Sequence, residues 1–225
     1  NLDSFVVKTP VCDGCENPTT FVKTMGRADQ SEMGYSLCNA SDGNVYMAGR
    51  QGNNPMIAKM TPNGEMLWVR NFPSFEFPFG YIDWVEIIED SEGNIVLCGT
   101  RSHSPNTRQT VAMRYDPVAD KVLWFKQYAE LNPEALGIFE KTAGGNFVVY
   151  SFSDEQFGSG QFGTYYKSRS ELWELNRATG EVVPALATLF PGNPSTSIYF
   201  QDMVPHNGSL YCVGGWSDQN LLQSG

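Results

Sequence analysis

One turn-and-strand unit recurs four times along this chain, and any fold must accommodate all four copies alike. The copies are Ser41-Asp42-Gly43-Asn44 before Val45 to Gly49, Ser91-Glu92-Gly93-Asn94 before Ile95 to Gly99, Ala143-Gly144-Gly145-Asn146 before Phe147 to Tyr150, and His206-Asn207-Gly208-Ser209 before Leu210 to Gly214. Their glycines, Gly43, Gly93, Gly145 and Gly208, are 50, 52 and 63 residues apart. Such turns supply the positive φ that a tight hairpin needs, and an apolar run of four or five residues after each reads as a buried strand.

A second turn follows each strand pair. Ile57 to Met60 leads through Pro62-Asn63-Gly64-Glu65 to Met66-Leu67-Trp68-Val69, and Val111 to Arg114 leads through residues 117–120 to Val122-Leu123-Trp124-Phe125. Leu172 to Leu175 leads through Arg177-Ala178-Thr179-Gly180 to Val182-Val183. Each unit therefore reads as strand a, short turn, strand b, connection, strand c, Gly turn, strand d. Whole units span roughly 34–72, 82–128 and 135–190. Residues 1–25 hold strands c and d of a partial unit (Ser4 to Lys8 and Thr20 to Thr24). Residues 197–225 hold strands a and b and, at 220–223, the start of c. A four-stranded meander repeated every 50 to 60 residues predicts an all-β chain of propeller type. The extra strand after residue 216 favours an incomplete arc, whose edges further blades or a partner would cover; the alternative is a closed four-bladed ring.

Composition agrees. Aromatics make up 13% and glycines number 22, which suits short strands and tight turns, and the 41% hydrophobic content is enough for a core. The formal net charge is −10, without a basic run, which excludes a nucleic-acid or anionic-membrane partner. No apolar stretch is long enough for a membrane span.

The repeats resemble the propeller-type repeats of secreted bacterial proteins (SBBP-type repeats). The residues that carry the likeness are Asp42-Gly43-Asn44, Gly49, Ala58-Lys59-Met60, Asn63-Gly64 and Trp68. A weaker similarity is to quinoprotein propeller repeats, through Thr179-Gly180, although Val182-Val183-Pro184 replaces the tryptophan expected there. The first resemblance implies an extracellular or cell-surface setting. The second would imply a calcium site and an axial cofactor pocket, and no ligands for either are recognisable, so neither a metal nor a cofactor is expected.

Catalytic signals are sparse. His103 and His206 are the two histidines, both expected in polar connections, and no nucleophile elbow is present. Asp83, Glu86, Glu89, Asp90 and Asp202 lie on or beside strands a, and a pair of them flanking a sugar bond is the enzymatic alternative. Asp83 is ten residues before its turn glycine and Asp202 is six, so these two acids are not expected at equivalent positions. Cys12 and Cys15 form a C-x-x-C read as a small disulfide or as free thiols; Cys38, Cys98 and Cys212 read as buried small hydrophobes. Asn39 and Asn207 open glycosylation sequons that matter in a eukaryotic secretory route.

Chain parity places the a–b and c–d turns at one end and the b–c and d–a connections at the other. The two long segments at that second end, Phe72 to Trp84 and Asp154 to Arg169, are rich in aromatics: Phe75, Phe77, Phe79, Tyr81 and Trp84 in one, Phe157, Phe162, Tyr165 and Tyr166 in the other. They form the expected contact face for a protein or glycan partner, unless the rings cap the core. The expected function is a non-enzymatic extracellular interaction or structural module, such as part of an adhesin or appendage. The alternative is a secreted propeller enzyme, a glycosidase or a quinoprotein-type dehydrogenase.

Overall fold

The computed structural model describes residues 4–8, 21–25, 31–73, 81–104, 107–128, 134–160, 163–183, 196–206 and 209–218. Within them the chain is all-β, and every sheet is an antiparallel meander with strands in chain order. The first full sheet runs β3 (Glu32–Asn39), β4 (Val45–Gln51), β5 (Asn54–Met60), β6 (Met66–Asn71), and the second β7 (Tyr81–Glu89), β8 (Ile95–Ser104), β9 (Thr107–Asp116), β10 (Lys121–Tyr128). The third has three strands, β11 (Glu134–Glu140), β12 (Phe147–Gly160) and β13 (Gly163–Leu175). Two-stranded sheets stand on either side in sequence: β1 (Ser4–Lys8) with β2 (Phe21–Met25), and β14 (Thr196–His206) with β15 (Ser209–Asp218). None of the sheets closes on itself.

Among the described residues the expected turns form, with one shift; residues 207 and 208 of the fourth lie outside them. Gly43 and Gly93 sit at φ 82° and 79°. The third unit has six residues, 141–146, between its strands where the earlier units have five, 40–44 and 90–94, and its positive φ falls on Gly144 (71°) and not on Gly145. The extra residue is absorbed before the turn: Gly145 N–H still donates to Thr142 O, as Gly93 N–H donates to Asp90 O.

A regular irregularity marks the first strand of four of these five sheets, those that begin with β3, β7, β11 and β14. Register slips by one residue at Tyr35, Val85, Leu136 and Gln201. A bulge at this point bends the strand and frees a backbone group. It also explains the glycine that strand b places beside the bulge in the first two full sheets, where the strand runs on past it: a Cβ on Gly49 would stand 2.2 Å from Met33 O, and one on Gly99 would stand 2.4 Å from Asp83 O.

Strand alternation divides the core into layers between sheets. Ile95 and Leu97 of β8 point to one side, into a cluster with Tyr46, Ala48, Ile57, Ile87 and Met113, between the first and second full sheets. Val96 and Cys98 point to the other, into a cluster with Trp124, Ile138, Phe147 and Val149, between the second and third. Val148 and Tyr150 then pack with Leu172 and Met203, reaching β14. The sheets thus stack in chain order, with β3 and β4 against β7, β7 and β8 against β11, and β11 and β13 against β14.

Several expectations are corrected. Residues 154–160 and 163–169 are not a loop but the continuation of β12 and β13, paired out to Gly160 and Gly163. His103 lies inside β8 for the same reason, since β8 and β9 pair as far as Ser104 and Thr107. The third unit has no regular fourth strand among the described residues; Val182 makes a single bridge to Leu175. Cys212 is exposed, because the β14–β15 sheet is covered on one side only, whereas Cys98 is fully buried and Cys38 partly so. The expected strand at 220–223 lies outside the described residues.

Candidate interaction surface

The two ends of the stacked sheets differ in chemistry. At the turn end, Asp90 is wholly buried and accepts from Arg114 Nε at 2.8 Å, with Arg177 Nη2 at 3.3 Å from the same carboxylate oxygen. Glu92 bridges both guanidinium groups, at 2.6 Å from Arg114 and 3.0 Å from Arg177. Arg177 also reaches the Glu140 carboxylate and the Gly145 carbonyl. Its own carbonyl accepts from the Trp124 indole at 2.9 Å, and its guanidinium lies over the Phe147 ring. Arg177 belongs to the c–d turn of the third sheet and Asp90 to the a–b turn of the second, so the network places both turn types at one end, as parity requires, and ties two sheets together. The charges are mutually satisfied, which is the signature of structure and not of a vacant site. Hydrogen bonds from Ser91 and Arg177 hold the Glu140 carboxyl below its ordinary value although burial pushes it up; Glu92 is lowered by the Arg114 hydrogen bond.

A second set of contacts crosses each junction at the bulges. The residue after each bulge is Ser36, Glu86, Gly137 or Asp202. Ser36 Oγ accepts the backbone N–H of Ile87 at 3.3 Å, and Glu86 Oε2 accepts that of Ile138 at 2.6 Å. Gly137 has no side chain to continue the series, and a Cβ there would stand 2.3 Å from Glu86 Oε2 and from the Tyr150 ring. At the third junction Asp202 Oδ1 instead accepts its own neighbour Met203 N–H at 2.8 Å and the Tyr150 hydroxyl at 3.3 Å. Burial, and then the Asp202 charge, push the Glu86 carboxyl up, against the Ile138 hydrogen bond. Glu86 and Asp202 do hold equivalent positions, a relation that counting from Asp83 to the turn glycine hides. Both carboxylates are engaged in holding strands.

The loop end is where partner contacts were expected. Tyr35 donates to Asp83 at 2.5 Å and receives Arg50 Nε at 2.8 Å, while Arg101 donates to Gln127 at 2.7 Å. Beyond the last β11 pair, Glu134 with Phe152, β12 and β13 run on as a two-stranded ribbon. Eight further residues of β12, at about 3.3 Å each, make it roughly 26 Å long.

Of the aromatics expected here, Tyr165 and Tyr166 lie on the ribbon opposite Gly158 and Gln156, and Phe157 is its bulged residue. Tyr81 opens β7, opposite Ser102. Trp84 is a correction: it is 2% exposed in the layer between the first two full sheets, because β7 begins three residues before it and turns the indole into the core. Phe75, Phe77, Phe79 and Phe162 lie outside the described residues, as do Cys12, Cys15 and Asn207. Asn39 is exposed at the end of β3, opposite Val45. His206 is exposed, with its ring 6.2 Å from that of Tyr211. No group of three or more potential metal ligands occurs among the described residues. No helix there is long and apolar enough to cross a membrane. Comparison with protein-family models and with curated proteins finds no match.

Proposed function

We propose that the chain is a non-enzymatic interaction module made of propeller-type blades, carried by a secreted or cell-surface protein, an adhesin or an appendage. The observation that carries this reading is the repeated junction. Four successive sheets bear the same bulge, and at each junction an apolar layer packs one sheet against the next. That local grammar is what neighbouring blades use to bury faces they cannot bury alone. The ribbon of β12 and β13, with its tyrosines at the loop end, is the surface on which a protein or glycan docks. The likeness to repeats of secreted bacterial proteins supports the extracellular setting.

Binding to a panel of immobilised glycans and extracellular proteins tests the reading. Replacing Tyr165 and Tyr166 by Ser should abolish the strongest binding while the melting curve is retained. A panel interaction that survives this double substitution, or a chain that binds nothing, sinks the docking assignment.

A glycosidase is the second reading, favoured by the carboxylates of Glu86 and Asp202, close enough for the second to raise the pKa of the first. Hydrolysis of any panel glycan, abolished by both Glu86→Gln and Asp202→Asn, would establish it in place of the first.

A further inference from the structure

Two carboxylates from different sheets converge on the sheet between them. Glu86 of β7 and Asp202 of β14 each follow a bulge, and each reaches a strand of the third sheet. Glu86 Oε2 accepts the Ile138 N–H of β11 at 2.6 Å, and Asp202 Oδ1 accepts the Tyr150 hydroxyl of β12 at 3.3 Å. Gly137 stands beside both contacts. The place its Cβ would take is 2.3 Å from Glu86 Oε2 and from the Tyr150 ring, so carboxylate and ring border one small gap.

The surroundings of this gap are acidic. Among the described residues the titratable side chains that act on Glu86 from the packed elements are Cys38 of β3, Cys98 of β8, Tyr150 of β12 and Asp202 of β14, with no cation among them. β11 contributes the Ile138 N–H. Burial pushes the Cys38 thiol up to about 12 and raises Cys98 and Tyr150 as well, so these three are neutral at and below neutral pH. The charge in the gap is therefore that of the two carboxylates. Asp202 is exposed, which gives solvent protons access. Two like charges across a partly buried gap repel, and protonating one of them removes the repulsion. A protonated Glu86 still has a carboxyl oxygen with which to accept the Ile138 N–H.

We propose that Glu86, Tyr150 and Asp202 form a proton-operated joint, in which protonation of Glu86 seats the β14–β15 sheet on the third sheet and loss of that proton loosens the seat. The seat itself is the apolar layer of Val148, Tyr150, Leu172 and Met203, and Tyr150 belongs to both the layer and the polar chain. Burial, and then the Asp202 charge, raise the folded pKa of Glu86 above its ordinary 4.5. The contribution of the joint is therefore present below 4.5 and lost as pH rises through the folded value. Glu92 and Glu140 at the turn end shift the opposite way, so their effect falls on the acid side of 4.5 and does not overlap this window.

The test is amide hydrogen exchange of the full chain at about pH 5 and about pH 7.5, corrected for intrinsic rates and read on peptides from β14. In the wild type β14 should open about two- to fivefold more at the higher pH, the scale of one solvent-screened charge pair. Glu86→Gln keeps an acceptor for Ile138 and should hold the acid-side protection at both pH values. Asp202→Asn keeps an acceptor for Tyr150 and Met203. It should make β14 protection independent of pH while Ile138 stays pH-dependent, since burial of Glu86 still acts there. His206 on the same strand is present in both variants, so a dependence arising from it would persist. Equal β14 protection of the wild type at the two pH values, or a pH dependence of β14 that survives Asp202→Asn, overturns the proposal. Matching melting curves at the lower pH exclude misfolding of a variant, and the wild-type comparison stands without either variant.

Discussion

The Glu86 carboxylate accepts the backbone N–H of Ile138 at 2.6 Å, across the boundary between two sheets. Removing the carboxylate and replacing it are therefore different experiments. Glu86→Ala orphans a backbone donor and should cost about 1–3 kcal/mol. Glu86→Gln keeps an acceptor and removes a charge that burial disfavours. The folded pKa of Glu86 is raised, so between its ordinary value of 4.5 and its folded value the folded state holds more protons than the unfolded one. Its contribution to stability is thus present below 4.5 and lost as pH rises. Urea titrations at pH 4.5 and 7 should find Glu86→Gln at least as stable as the wild type at pH 7. A large loss for Gln at that pH would show that the charge itself is needed.

Gly137 makes room for this contact. Alanine there would bring Cβ to 2.3 Å from both the Glu86 carboxylate and the Tyr150 ring. We expect Gly137→Ala to destabilise by about 1–3 kcal/mol, the range for overpacking. Pairing it with Tyr150→Phe should leave the loss in place, since the clashing ring atoms remain, whereas Glu86→Ser should recover part of it.

At the turn end, Asp90 neutralises two arginines from within the protein, Arg114 and Arg177. Asp90→Ala should cost about 1–3 kcal/mol, because it leaves the backbone N–H groups of Glu92 and Asn94 without their acceptor, while Arg114 keeps Glu92 and Arg177 keeps Glu92 and Glu140. Glu92 and Glu140 have lowered pKa values, so their stabilisation is present above the ordinary 4.5 and lost as pH falls through the folded values. Arg177→Met should shrink this acid-side loss, measurable as a shallower fall of the melting temperature below pH 4.5.

The three described cysteines should react in order of exposure. Burial pushes the Cys38 thiol up to about 12, holds the wholly buried Cys98 well above its ordinary value, and raises the exposed Cys212 as well. The thiolate is the nucleophile. Iodoacetamide at pH 8, followed by peptide mass spectrometry, should modify Cys212 first and leave Cys98 intact until the chain unfolds. Early labelling of Cys98 would contradict its place between the second and third sheets.

Local chemistry determined much of this protein in advance. The Asx-Gly turns and the apolar runs between them specify antiparallel hairpins, because turn geometry and strand alternation act within a few residues. Strand order in the first two full sheets and the placing of both turn types at one end followed from them. The decisive features of the candidate surfaces were not legible in that way. A bulge moves one residue out of register without changing composition, so the equivalence of Ser36, Glu86 and Asp202 emerged when the pairing was known. Polar and aromatic residues at 154–169 pair as strands because the partner segment is long enough to satisfy their backbone, a property of two segments together. Trp84 and Tyr211 are both aromatic residues on strands; one is 2% and the other 61% exposed. The difference lies in whether a neighbouring sheet covers the face they occupy, and that is set by tertiary packing alone.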